Sequence, residues 1–234
     1  MQSTFDKNQL AQNYHAVKST INQLNKAYRA DNPAALLAVS KTKPAQMIER
    51  LFALGQQDFG ENYLQEAITK MDELKHLPIV WHYIGSIQRN KTRDIAKYFD
   101  WVHTLEREVI ATRLNEQRAG MSPLNVLIQV NIDDEESKSG CQINELPALV
   151  EQVRACKNLR LRGLMIIPNK EGSDAFARTK MLFDDIAKRY PSEHWDTLSM
   201  GMSGDMAMAI EQGSTMVRVG SAIFGEREYP NKAS

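Results

Sequence analysis

Between residues 36 and 219 the chain switches repeatedly from short apolar runs to helix-length amphipathic stretches, and that alternation confines it to a parallel α/β architecture. Strands are expected at residues 36–40, 58–60, 80–84, 101–105, 125–131, 160–166, 197–199 and 216–219. Helices are expected between them at 44–54, 63–74, 92–98, 108–119, 145–155, 176–190 and 206–212. A strand that leads through a helix into the next strand needs a right-handed crossover and a parallel sheet. Eight such strands in 234 residues match a single TIM-like (β/α)8 barrel, which usually takes about 250. An open doubly wound sheet is the alternative, and it ranks second because no Gly-x-Gly-x-x-Gly follows the first strand.

Ahead of that pattern, residues 8–28 carry Leu10, Tyr14, Val17, Ile21 and Leu24 at three- and four-residue spacing, the stripe of an amphipathic surface helix. No internal repeat, low-complexity tract or Pro/Gly-rich linker interrupts the chain. Residues 1–234 are therefore expected to form one domain, with 1–30 as an extra helix packed on the barrel. A hydrophobic fraction of 42% beside 25% charged residues provides a core without staples.

Lys plus Arg and Asp plus Glu both number 29, so no net charge draws the chain to nucleic acid or to an anionic membrane, and a small-molecule partner fits better. Cys141 and Cys156 are far apart and form no Cys-x-x-Cys pair, which speaks for a reducing compartment and against a disulfide framework or a zinc site. The first residues lack a signal-peptide pattern, and no apolar run approaches the ~18 residues of a membrane span. The expected location is the cytoplasm. The five histidines show no metal-ligand spacing, and neither a nucleophile elbow nor a Walker A loop is present.

In a βα-barrel the chemistry sits at the C-terminal ends of the strands, and the loops after strands 7 and 8 commonly hold a phosphate. Here those loops read Met200-Gly201-Met202-Ser203-Gly204-Asp205-Met206 and Gly220-Ser221-Ala222-Ile223-Phe224-Gly225. Glycine lets backbone N–H groups approach an anion closely, and serine adds a hydroxyl donor; ordinary turns and helix caps use the same residues. Lys41 directly follows the first strand, where a desolvated amine can form an imine with an aldehyde, the usual anchor of pyridoxal 5'-phosphate (PLP). The bland alternative is a solvated lysine at a strand end, and Lys43 competes for the same role, since alternation puts both on one side.

Arg218 lies inside the last strand, between Val217 and Val219, where a charge needs a partner. Its guanidinium is expected either against the pyridine nitrogen of a bound cofactor or in a buried ion pair with a carboxylate. In the first case an arginine leaves that nitrogen unprotonated and restrains carbanion chemistry. Asn62, after the second strand, and His82, in the third, are further candidate cofactor contacts, although His82 reads more readily as a satisfied barrel histidine than as a base.

The same segments resemble the pyridoxal phosphate homeostasis protein family. The match runs through Leu37-Ala38-Val39-Ser40-Lys41-Thr42-Lys43-Pro44, Phe59-Gly60-Glu61-Asn62-Tyr63, Trp81-His82-Tyr83-Ile84-Gly85, Asn90-Lys91, Ser137-Lys138-Ser139-Gly140, Arg162-Gly163-Leu164-Met165, Leu198-Ser199-Met200-Gly201-Met202-Ser203 and Val217 to Gly225. Together they span nearly the whole chain in the family's order. The resemblance implies a barrel like the N-terminal domain of alanine racemase, with PLP as a Schiff base on Lys41 rather than Lys43. It further implies phosphate binding by Ser203, Gly220 and Ser221, Arg218 at the pyridine nitrogen, and Asn62 near the ring. Ser221 stands where many relatives carry Thr, which keeps the hydroxyl; Ser86-Ile87 also departs from the commonest pattern.

Alanine racemases add a C-terminal domain whose Tyr works on the substrate face opposite the cofactor lysine. Only fifteen residues follow the eighth strand here, fewer than the ~50 of a small domain. Racemisation needs an acid/base on each face. The expectation is therefore a non-catalytic, monomeric PLP carrier or regulator that serves PLP-dependent enzymes. The alternatives are a PLP-dependent amino-acid racemase completed by Tyr83, Tyr229 or a partner chain, and a Schiff-base aldolase without a cofactor.

Overall fold

The computed structural model describes residues 6–135, 138–169 and 174–226. Eight parallel strands close into a barrel in sequence order: β1 (Ala35–Val39), β2 (Asp58–Glu61), β3 (Val80–Tyr83), β4 (Trp101–Leu105), β5 (Leu124–Gln129), β6 (Leu159–Met165), β7 (Thr197–Ser199) and β8 (Met216–Val219). The barrel closes where β8 pairs in parallel with β1, Leu37 standing opposite Arg218. The open doubly wound alternative is thereby excluded.

The helices between strands are α2 (Ala45–Ala53), α3 (Leu64–Glu73), α4 (Thr92–Tyr98), α5 (Glu108–Gln117), α6 (Leu146–Ala155), α7 (Ala175–Arg189) and α8 (Met206–Glu211). Two short elements were not expected: a 3-10 turn at Arg89–Lys91 and a one-turn helix, α9 (Ser221–Phe224), directly after β8. Strand ends differ from expectation by one or two residues. The fifth strand stops at Gln129 because the chain then turns, leaving Val130 in an isolated bridge to Cys141.

The first helix, α1 (Lys7–Tyr28), starts at Asp6, whose carboxylate accepts from the N–H groups of Asn8 and Gln9. It buries Leu10, Tyr14, Val17 and Ile21, while Leu24 packs at the edge of the core. Each fully buried apolar side chain contributes about 1.5–3 kcal/mol. Among the described residues only the single turn of α9 follows β8, and α1 lies along α8, α9 and α2. Polar contacts fix it at two points. Asn13 Nδ2 donates to the Ile223 carbonyl at 3.1 Å, and buried Asn25 exchanges hydrogen bonds of 2.9 and 2.8 Å with the backbone of Ala34.

Laterally paired residues of adjacent strands share a face. The register therefore sends Asp58, Gly60, His82, Trp101, Ser199, Met216 and Arg218 to the inside of the barrel together with Leu37. The main apolar core is the outer layer between strands and helices, built on residues such as Ile48, Leu51, Ile95, Leu114 and Val126. The interior of the barrel is thus unusually polar, and that polarity leads to the site. Among the described residues no helix is long and apolar enough to cross a membrane.

Candidate functional site

At the C-terminal ends of β1, β2, β7 and β8 a cavity of about 300 Å³ is lined by Lys41, Lys43, Asn62, Ser203, Gly204, Arg218, Gly220 and Ser221, with apolar walls from Val39, Ile84, Met165 and Phe224. Lys41, Asn62, Ser203, Arg218, Gly220 and Ser221, singled out from the sequence, therefore meet in one place. No carboxylate lines the cavity among the described residues, whereas two lysines and an arginine do. Three basic side chains beside glycine- and serine-rich loops suit a negatively charged ligand.

The loops fold as such a receptor requires. The one-turn helix α9 begins just past Gly220, and the first N–H groups of a helix have no acceptor within it. On the other wall the Met202 N–H is taken by the Asp205 carboxylate at 2.5 Å, which fixes the turn that carries Ser203 and Gly204. Asn62 is packed so tightly that a Cβ on Gly85 would lie 2.2 Å from its carbonyl oxygen. Its buried side-chain oxygen, Oδ1, has no hydrogen-bond partner among the described residues, an orphan that a ligand donor could satisfy.

Lys41 sits in a turn of unusual construction. Thr42 has φ 65°, a left-handed conformation that a β-branched residue rarely adopts. A buried ammonium holds the turn from below. Lys70 Nζ, on α3, donates to the Ser40 carbonyl at 2.8 Å, to Glu61 at 2.8 Å and to Glu66 at 2.6 Å. Ser40 Oγ donates to Glu61 at 2.6 Å, and the Thr42 N–H donates to Glu66 at 2.6 Å. The backbone on both sides of Lys41 is therefore tied to one ion cluster. Burial pushes the Glu61 carboxyl above its ordinary pKa, with Lys70 pulling it back. Lys43 Nζ donates to the Glu226 carbonyl at 2.7 Å.

Arg218 is 5% exposed, and its donors go to the Ser199 carbonyl (2.9 Å), Ser199 Oγ (2.8 Å) and the Ile166 carbonyl (2.8 Å). None of these is a carboxylate, and among the described residues Arg218 forms no ion pair. Burial pushes its pKa down to about 10, against the opposing charge of Asp205.

A family model for the alanine racemase N-terminal domain matches residues 6–228. The chain is 51% identical over 233 residues to the pyridoxal phosphate homeostasis protein of Pseudomonas aeruginosa, covering 96% of this chain and 99% of that one. It is 48% identical over 235 residues to the protein of the same name from Escherichia coli K12, covering 96% and 100%. It belongs to the pyridoxal phosphate homeostasis protein family. Among solved structures, PipY of Synechococcus elongatus with PLP bound superposes with a TM-score of 0.81 at 31% identity, over 92% of this chain and all (100%) of PipY. Alanine racemase from Corynebacterium glutamicum shares the fold, with a TM-score of 0.69 at 19% identity over 95% of this chain and 61% of the racemase.

Two expectations for this family member need correction or restriction. His82 does not line the cavity: it is fully buried inside the barrel, where its ring contacts His103 Nε2 at 2.9 Å and Asp58 Oδ1 at 3.0 Å. Strand pairing turns it inward beside Trp101, whose ring stacks on it at 5.2 Å. Tyr83, a candidate racemase acid, is 3% exposed and donates its hydroxyl to the Ser86 carbonyl at 3.0 Å, away from the cavity. Tyr229 and Ser137 lie outside the described residues. Lys138, from the same loop as Ser137, pairs with Asp133 at 3.3 Å and Glu135 at 3.4 Å. His103, Lys70 and Glu61 were not anticipated as parts of the site's support.

Proposed function

We propose that this protein holds PLP covalently on Lys41 and buffers or delivers that cofactor to PLP-dependent enzymes. It does so as a monomeric, single-domain barrel in the cytoplasm, without turning over a substrate of its own. The observation that carries this reading is the lining of the cavity, where Lys41, Lys43 and Arg218 meet glycine- and serine-rich loops. When bound, PLP supplies an aldehyde that condenses reversibly with a lysine amine, releasing water.

Lys41 is the attachment point, because the ion cluster under Ser40 and Thr42 presents its side chain from a fixed backbone. Ser203, Gly220 and Ser221 hold the phosphate through hydroxyl and backbone N–H donors. Arg218 faces the pyridine nitrogen; a guanidinium only donates, so the nitrogen accepts and stays unprotonated, and the ring is a poor electron sink. Asn62 contacts the ring region. The name shared by the relatives and the PLP bound to PipY support the cofactor.

The test is borohydride reduction of the PLP-treated chain, followed by peptide mapping. The expected product is a single modified peptide carrying the label on Lys41. A label on Lys43, or none, overturns the reading, and so does turnover of any D- or L-amino acid at about 1 per second or faster.

A further inference from the structure

From Arg218 a row of hydrogen-bonding groups crosses the barrel to its far side. Ser199 Oγ, which accepts from Arg218, lies 3.2 Å from His103 Nδ1. His103 Nε2 lies 2.9 Å from His82 Nδ1, and His82 Nε2 lies 3.0 Å from Asp58 Oδ1. Ser199, His103 and His82 are all 0% exposed. Asp58 begins β2, at the end of the barrel opposite the cavity, and its side chain is 37% exposed.

The two ends set the direction of every proton in the row. A guanidinium can only donate and an ionised carboxylate can only accept. Ser199 Oγ accepts from Arg218, so its own proton goes to His103 Nδ1. His103 then carries its proton on Nε2 and donates to His82 Nδ1, and His82 donates from Nε2 to Asp58. The reverse order, with His82 doubly protonated against Asp58, leaves a fully buried Ser199 hydroxyl without an acceptor. It also adds a second cation to an interior that already holds Arg218. Burial, with His82 and Arg218 adding to it, keeps His103 well below the usual histidine pKa.

We propose that Asp58, His82, His103 and Ser199 are positioning residues for Arg218, forming a one-way hydrogen-bond chain that fixes the guanidinium and stabilises its charge at the cavity floor. Each link presents its acceptor toward Arg218 and its donor toward Asp58. The chain thus connects a buried cation to a solvent-reached anion without a direct ion pair. The inference rests on Arg218 facing the bound cofactor's ring.

The test has two arms. In the first, histidine-selective 15N NMR of the chain without cofactor reads the tautomers at about pH 8. Both His82 and His103 are expected as the Nε2–H form; an Nδ1–H form at either, or a doubly protonated His82, overturns the chain. In the second, PLP release is timed in His103→Leu, His103→Gln and Ser199→Ala, and the pH profile of the bound cofactor's visible band is recorded. His103→Leu is expected to release PLP about ten-fold faster with a shifted profile, as befits a weakened charge-assisted contact. His103→Gln, whose amide can accept and donate in the same two places, is expected within about two-fold of wild type. Ser199→Ala keeps both rings and tests the link should His103→Leu fail to fold. Wild-type release and profile in the folded variants, or no rescue by Gln, overturns the positioning role. Wild-type protein that takes up no PLP sinks the Lys41 reading and this role together, while the NMR arm still decides the proton order.

Discussion

Replacing Lys70 by Met is expected to destabilise the protein in a pH-dependent way and to loosen the turn that presents Lys41. The Lys70 side chain is 6% exposed and Glu61 is 0% exposed, so the variant leaves a carboxylate buried with Ser40 Oγ as its remaining partner. Its other oxygen, Oε2, already has none among the described residues. Removing one member of a buried pair costs about 3–5 kcal/mol. The pH dependence follows from Glu61. A carboxyl whose native pKa is raised contributes most below its unfolded value of about 4.3 and loses that contribution as pH rises through the native pKa. Loss of Lys70 removes the main influence holding that pKa down, so the deficit relative to wild type should be small near pH 4 and grow toward pH 8. Urea unfolding of both proteins at about pH 5 and pH 8 measures it. Adding Glu61→Gln to Lys70→Met should recover part of the loss at the higher pH. A deficit under about 1 kcal/mol, or one equal at both pH values, would refute the reasoning.

Two further outcomes concern the scaffold. Gly163 has φ +147° and a Cβ there would lie 1.9 Å from the Thr197 carbonyl oxygen, so Gly163→Ala should part β6 from β7 and cost more than about 3 kcal/mol in chemical denaturation. Asn25→Ala strands the buried N–H and C=O of Ala34 and should cost about 1–3 kcal/mol in the same assay, whereas Asn13→Ala, at a half-buried contact, should cost less.

The eight strands were legible because each carries a short apolar run followed by a helical period, and even three-residue β7 showed as Thr197–Ser199. Closure was legible from the count and order of units. The cavity loops were legible as well, since Gly and Ser cluster where a barrel places its phosphate loops. What hid was whatever depends on a partner distant in sequence. Lys70 reads as half of an exposed i,i+4 pair with Glu66, and nothing local says that Glu61 and Ser40 close over it. His82 and His103 each look like one polar residue in a strand; only the register shows that both turn inward and meet. Arg218 was flagged by its position, but a carbonyl and a serine in place of a carboxylate became visible only once β6, β7 and β8 were side by side.

The seating of α1 against the end of the chain has a consequence for biogenesis. Asn13 and Ile223, which join the two, are 210 residues apart. At about 5–20 residues per second that span takes roughly 10–40 s to synthesise. Throughout that interval the Leu10–Tyr14–Val17–Ile21 stripe waits without the α8 and α9 surface it will cover. Slowing elongation between the two segments would lengthen its exposure to chaperones and to aggregation.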